Sequence, residues 1–212
     1  MMGLAGKLVR GTHISYVSSA SVASADTLTL PTYSAGDTLF MFAYTGSSTT
    51  SPTVPSGWTT IQPASNTPSN QAGVIAYRVA TGTDPVGTWT GATNLVVMIY
   101  RGVKVVLSGT SYTIDYEVSQ NFALWMRATS RNGSTSWYIG FVGTTGTTGL
   151  DLNQAPTGMV NRTTTVGAAN SCAGNDTNYG ASKYPGGNPS GYSITLNQIV
   201  NSLTYTLEVM SS

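Results

Sequence analysis

The same order of apolar stretches and turns occurs twice along this chain, and a duplication of that kind constrains the fold more than any single residue does. The first pass opens with Asp37-Thr-Leu-Phe-Met-Phe-Ala-Tyr-Thr45 and reaches a turn at Pro55-Ser-Gly-Trp58. It continues through Gly73-Val-Ile-Ala-Tyr-Arg-Val-Ala80 and Gly87-Thr-Trp-Thr90 to Leu95-Val-Val-Met-Ile-Tyr100. The second opens with Ser136-Trp-Tyr-Ile-Gly-Phe-Val-Gly-Thr144 and turns at Pro156-Thr-Gly-Met159. Its remaining parts are Asn175-Asp-Thr-Asn-Tyr-Gly-Ala-Ser182, Gly191-Tyr-Ser-Ile-Thr-Leu196 and Leu203-Thr-Tyr-Thr-Leu-Glu-Val209. The repeated residues are strand cores and turns, so the repeat specifies a scaffold. It predicts one domain over 26–212 with pseudo-equivalent halves at about 35–102 and 136–210, preceded by an extended N-terminal arm at 1–25.

Gly, Pro, Ser and Thr interrupt every window in which a 3.6-residue helical period would develop. Strands are predicted near 12–18, 26–30, 37–45, 58–62, 72–80, 86–90, 94–101, 111–118, 121–128, 136–144, 159–165, 192–196 and 202–210, with all prolines between them. In 203–209, Leu203, Tyr205, Leu207 and Val209 alternate with Thr204, Thr206 and Glu208, the pattern of one buried and one wet face. In 38–44 and 95–100 both faces are apolar. Such strands are either covered on both sides or turn one side to a neighbouring subunit, because bare they would aggregate. Segment 101–120 links the passes as a crossover or as an arm that contacts a neighbour. Many short strands with frequent turns give an all-β expectation: a β-sandwich of jelly-roll type.

With 212 residues and a 40% hydrophobic fraction, the chain can bury a real core. Charged residues make up 8%, against roughly 25% in ordinary domains. In their place stand 25 Ser, 33 Thr and 24 Gly, giving a polar but nearly uncharged surface. The net charge is +1, and no charged residue falls between Asp37 and Arg78. Without a basic stripe there is nothing to displace counterions from phosphates, which argues against nucleic acid as a partner. No apolar run reaches the roughly 18–20 residues of a membrane-spanning helix. The run Met1-Met-Gly-Leu-Ala-Gly-Lys-Leu-Val-Arg10 lacks the continuous apolar stretch of a signal peptide, so synthesis in a cytoplasm is expected.

Residues with reactive chemistry are few. His13 is the only histidine, and no Gly-x-Ser-x-Gly elbow accompanies it. Asp115 and Glu117, two apart on a predicted strand, are the best carboxylate pair for glycoside hydrolysis, but a solvated edge explains them more simply. Asn175-Asp-Thr-Asn178 offers oxygen ligands yet lacks the acid count of a calcium loop, and an Asx turn accounts for it. Cys172, the only cysteine, excludes an internal disulfide and a thiolate cluster and is expected to be a small buried side chain. The Asn-x-Ser/Thr sites at Asn132, Asn161 and Asn175 matter only in a eukaryotic secretory pathway. Four Trp and 12 Tyr in neutral Thr- and Asn-rich surroundings raise the further option of sugar stacking. The candidate glycan contacts are Trp58, Trp137, Tyr184 and Tyr192. No catalytic, cofactor-binding or metal-binding residue is assigned, and the chain is expected not to be an enzyme.

The arrangement Ala35-Gly-Asp-Thr-Leu39, Val54-Pro-Ser-Gly-Trp-Thr59, Ala76-Tyr-Arg-Val-Ala80, a Thr-Trp-Thr stretch and Met98-Ile-Tyr-Arg-Gly102 resembles a β-sandwich module of virion structural proteins of tailed bacteriophages. Such modules occur in capsid decoration (cement) proteins, head fibres and tail proteins. The resemblance covers about 35–102 and weakens over 136–210, where Met159 stands in place of the expected Trp. It implies a non-enzymatic structural component of a virion, foremost a capsid decoration protein that stabilises contacts between capsomers. The implied partners are the major capsid protein, other virion proteins and further copies of the chain, with the N-terminal arm docking on one of them. The alternative is a tail or fibre-tip protein that binds a host receptor or surface glycan.

Overall fold

The computed structural model describes residues 13–66, 69–105, 112–124, 136–145, 152, 154–156, 158–178 and 192–212. The first half of the chain supplies β1 (Ser15–Ala23), β2 (Thr38–Thr45), β3 (Thr59–Asn66), β4 (Gln71–Val79) and β5 (Asn94–Arg101). After the short β6 (Val103–Lys104), the second half supplies β7 (Tyr112–Leu124), β8 (Ser136–Thr145), β9 (Val160–Val166), β10 (Asn170–Asp176) and β11 (Tyr192–Ser211). The first sheet has the order β1-β5-β2-β4-β3. In the second the order is β11-β8-β10-β9, with β7 and β6 along the far side of β11. Strand for strand, β7-β11-β8-β10-β9 repeats the first sheet, and all pairs in both are antiparallel. Each pass through the repeated programme therefore builds four strands of one sheet, β1 and β7 preceding the passes as matched outer strands, and the two sheets face each other as a sandwich.

This order corrects the jelly-roll part of the expectation. A jelly roll carries successive strands back and forth between its sheets, whereas here each half of the chain stays within one.

Turns and bulges fix the equivalence residue by residue. Trp58 N donates to Pro55 O and Met159 N to Pro156 O, and Gly57 and Gly158 take φ of 83° and 86°. That left-handed conformation is why both turns carry glycine. The next strands bulge at corresponding residues, Ile61 in β3 and Arg162 in β9. Carried through the ladders, this register matches Phe42 with Phe141, Tyr44 with Gly143, Ile75 with Gly174 and Gln71 with Asn170.

The core between the sheets grows from these matches. Phe42 and Phe141 stack on each other with centroids 5.6 Å apart, so a residue meets its own counterpart, as at the axis of a two-fold dimer. At the next matched position the halves differ. The ring of Tyr44 fills the space where Gly143 lacks a side chain, and an added Cβ there would collide with it. Gly174 likewise leaves room for Met98 and Val96, where a Cβ would lie 2.8 Å from the Met98 sulfur. Tyr205 Oη donates to Gly73 O at 3.1 Å, and Gln71 Nε2 to Ser202 O at 3.2 Å, tying the second half to the first. Each half has become the mould of the other.

The outer faces are covered by the chain itself. Leu39, Met41, Ala43, Val74, Leu95, Val97 and Ile99 form a second buried cluster on the outside of the first sheet, beneath Trp58, Trp89, Leu28, Tyr33, Val54 and Val86. This settles the doubly apolar strands in favour of cover on both sides. It also explains why 26–30 and 86–90 are not strands: they cross over a sheet whose ladders are complete, turned by glycines such as Gly82 and Gly87 at positive φ. On the second sheet a third cluster joins Val142 and Ala173 to Leu124, Ile194, Leu196 and Val200, contributed by the ends of β7 and β11 that run on past β8. The wet face expected in 203–209 is buried too, with Thr204, Thr206 and Glu208 no more than 3% exposed.

Other expectations shift by less. β10 lies at Asn170–Asp176, several residues before the stretch 175–182 expected to match β4, because hydroxyl and amide residues there supply ladder groups without an apolar signal. β3 extends through Pro63, which an edge strand tolerates. The residues 1–25 expected as an arm include β1, which pairs with β5 along its length and bonds to the other sheet through Ser19 Oγ to Arg162 O and Ser21 to Thr163. In each sheet the inner ladders are continuous, while β1, β3, β7 and β9 all pair through a register shift; the two-residue β6, also an outer strand, pairs with β11 without one.

Two measurements check this architecture. Gly143→Val is expected to lower stability by about 1–3 kcal/mol in chemical denaturation, since the added side chain overpacks the site beside Tyr44. Tyr44→Leu in the same chain should recover part of the loss, a coupling that distant sites lack. Deleting residues 1–25 removes a sheet edge and is expected to lower the thermal midpoint rather than leave the sandwich unchanged.

Candidate functional site

Charge in the described residues is used first of all internally. Asp37, 1% exposed, accepts Arg101 Nε at 2.7 Å and Arg101 Nη2 at 2.9 Å, and its Oδ2 also accepts Ser34 N. Asp84 is held by Arg78 at 2.7 Å and by the N–H groups of Thr81 and Gly82. Arg78 in turn lies over the Trp58 ring, 5.6 Å from its centroid, and Trp58 meets Trp89 edge-on. These contacts pin the outer cover to the first sheet.

A third pair joins the sheets. Asp176 on β10 accepts Arg162 Nε at 2.8 Å, Arg162 Nη2 at 3.0 Å and Tyr100 Oη at 2.8 Å. The Arg162 guanidinium lies over the Tyr16 ring at 4.1 Å, and Tyr16 meets Tyr100 edge-on. Strands β1, β5, β9 and β10 thus converge on one carboxylate. The same contacts correct the calcium option: within Asn175–Asn178 the only carboxylate is already taken by a guanidinium and a phenol.

The carboxylates respond to pH in opposite senses. Hydrogen bonds from Arg101 are the main influence on Asp37 and hold its carboxyl below the ordinary 3.8. Burial alone would raise Asp84, but Thr81, Gly82 and Arg78 outweigh it and the net shift is downward. Stability from these two is complete above the ordinary value and is lost as pH falls through it toward the depressed folded values. For Asp176 burial is the largest influence and leaves the carboxyl above its ordinary value despite Arg162 and Tyr100. Its share is present below the unfolded value and is lost as pH rises through the raised one.

The remaining candidates do not assemble into a reactive centre. His13 is exposed. Asp115 and Glu117 share a face of β7, opposite Thr204 and Ser202, and Asp115 Oδ1 accepts Tyr116 N at 2.8 Å. Cys172 points into the core, where burial pushes its thiol up, away from the reactive thiolate. Asn161 Nδ2 donates to Asn175 Oδ1, and Asn175 is fully buried while Asn161 is half-buried. Of the candidate glycan contacts, Trp58 is 8% and Trp137 1% exposed, so neither offers a ring face to a sugar. Tyr184 lies outside the described residues, as does the side chain of Tyr192. Among the described residues no cluster of three His, Cys, Asp or Glu is placed to hold a metal ion.

The structure does show a cleft of mixed polar and methyl lining that the sequence reading missed. It has a volume of about 470 Å³ and opens at the end of the sandwich where the two halves meet. The loop after β1 contributes Ser24 and Asp26, the segment before β5 contributes Thr93 and Asn94, and Asn170 comes from the start of β10. Asn94 Nδ2 donates to Asn170 O at 3.2 Å, and Asn170 Nδ2 to Thr93 Oγ1 at 3.0 Å. Its residues are dispersed in sequence and each resembles an ordinary loop residue. The one local signal is backbone strain, since Ser24 holds φ at 55° without being glycine.

Replacing Arg162 with Met is expected to cost about 3–5 kcal/mol near neutral pH, because Asp176 is left as a buried charge without its cation. The deficit relative to wild type should shrink on acidification, as a neutral Asp176 needs no partner. Urea denaturation across the acidic range measures both. Comparison with family models, with curated proteins and with solved structures finds no match to this chain.

Proposed function

We propose that this chain is a non-enzymatic structural component of a bacteriophage virion, foremost a capsid decoration (cement) protein that stabilises contacts between capsomers. The observation that carries the reading is what the motif residues do together. Asp37 and Arg101 join two of the motifs as an ion pair, and Arg78, Trp58 and Trp89 from the other three stack into one unit over the first sheet. The residues that carry the resemblance to virion modules are thus also neighbours in the fold.

Two further features suit such a role. Three ion pairs neutralise six of the few charges within the molecule, with Arg101 alone of the six largely exposed, so copies of this nearly neutral molecule approach one another without strong repulsion. In a symmetric shell, weak contacts repeated over many copies add up through avidity. The partners on this reading are the major capsid protein and neighbouring copies.

The test is the protein's position and stoichiometry in purified particles, by quantitative mass spectrometry and cryo-electron microscopy. A decoration protein is expected in many copies on the head surface, and particles lacking it should release their genome at lower temperature. A handful of copies at a tail or fibre tip would replace the capsid reading with a host-binding one. Absence from particles would overturn both.

A further inference from the structure

Beyond the scaffold role, we propose that the cleft between the halves is a binding site for a neutral polyhydroxylated ligand, a sugar unit, with Asp26 as its anchoring acceptor. Among the acids, Asp37, Asp84 and Asp176 are each taken by an arginine. Asp26 differs. Its backbone carbonyl accepts Trp89 N, while its side chain lines the cleft and, among the described residues, receives no hydrogen bond or ion pair. A carboxylate in that state accepts strongly from hydroxyl groups.

The deeper lining supplies matching donors. Asn94 is 1% and Asn170 8% exposed, and each carboxamide uses one N–H in the internal bonds described above. A carboxamide carries two such hydrogens, so Asn170, the more exposed of the two, retains one for a ligand. Ser24 and Ser47 at the rim add hydroxyls able to donate or accept, and alanine methyls cover the rest of the surface. No cationic side chain lines the cleft, which disfavours phosphate and carboxylate ligands. Its volume falls within the roughly 300–1,000 Å³ typical of small-molecule sites. The strained backbone at Ser24, on the rim, is the kind of local cost that clusters at binding sites.

The test is a titration of the isotope-labelled full chain with glucose, galactose, rhamnose and N-acetylglucosamine, followed through backbone amide resonances, with glycerol as the control for unspecific polyol contact. At least one sugar is expected to shift resonances of 24–26, 92–94 and 169–170 with saturation in the millimolar range. Asp26→Ala should weaken that binding about tenfold or more, the usual worth of a hydrogen bond to a charged group. Ala169→Trp, at an exposed turn position, should block it by filling the cleft. Neither variant removes an internal bond, so unchanged thermal midpoints are expected to accompany the loss. The proposal is overturned if no sugar shifts these resonances, if glycerol shifts them equally, or if binding survives both substitutions. Particle location does not enter the readout, so this test and that of the virion role fail independently.

Discussion

Two sheets built from the two halves of one chain meet face to face along equivalent strands, and everything else is arranged around that contact. Phe42 against Phe141 shows the symmetric origin of the interface, and Tyr44 against Gly143 shows how far it has departed from symmetry. Two identical halves would place two tyrosines, or two glycines, at the same spot, giving a collision or a void. One ring and one hydrogen fill it once. The covalent link between halves allows this, since it guarantees that each mould always meets its cast.

Covering the outside of the sandwich required different solutions in the two halves. The first sheet is closed by loops whose Trp58, Trp89 and Arg78 pack over an apolar face. At the position matched with Trp58 the second half has Met159, and its cover comes partly from the prolonged β7 and β11 strands. One scaffold thus supports a rigid aromatic cap on one side and a strand-built one on the other. With both sides covered, the apolar strands give no reason to invoke a partner, and any neighbour is recognised by other surfaces.

Much of the scaffold is legible in the sequence, because turns and apolar runs act locally. Pro55-Ser-Gly-Trp58 and its counterpart at 156–159 mark the same turn, and 37–45, 94–101 and 136–144 mark strands nearly to the residue. Legibility fails where long-range geometry decides. The composition of 86–90 suits a strand, but no ladder is open to it. Thr206 and Glu208 look solvated in an alternating pattern, yet both are buried in the fold. Trp58 and Trp137 look available to a sugar because aromatic residues are large, and for the same reason they are buried. The cleft is the extreme case: Asp26, Asn94 and Asn170 become neighbours only through the register of two different sheets, which no local pattern encodes.

The register shifts along β1, β3, β7 and β9 carry a consequence for crowding. A flat edge offers a continuous row of N–H and C=O groups on which another chain can crystallise as a further strand, and the process has no natural end. Here the ladders of β1, β3, β7 and β9 are each interrupted, β6 is only two residues long, and β3 adds a proline that cannot donate. Interruptions of this kind make side-by-side packing at high local density compatible with separate bodies, because they work against the one mode of association that leads to open-ended fibres.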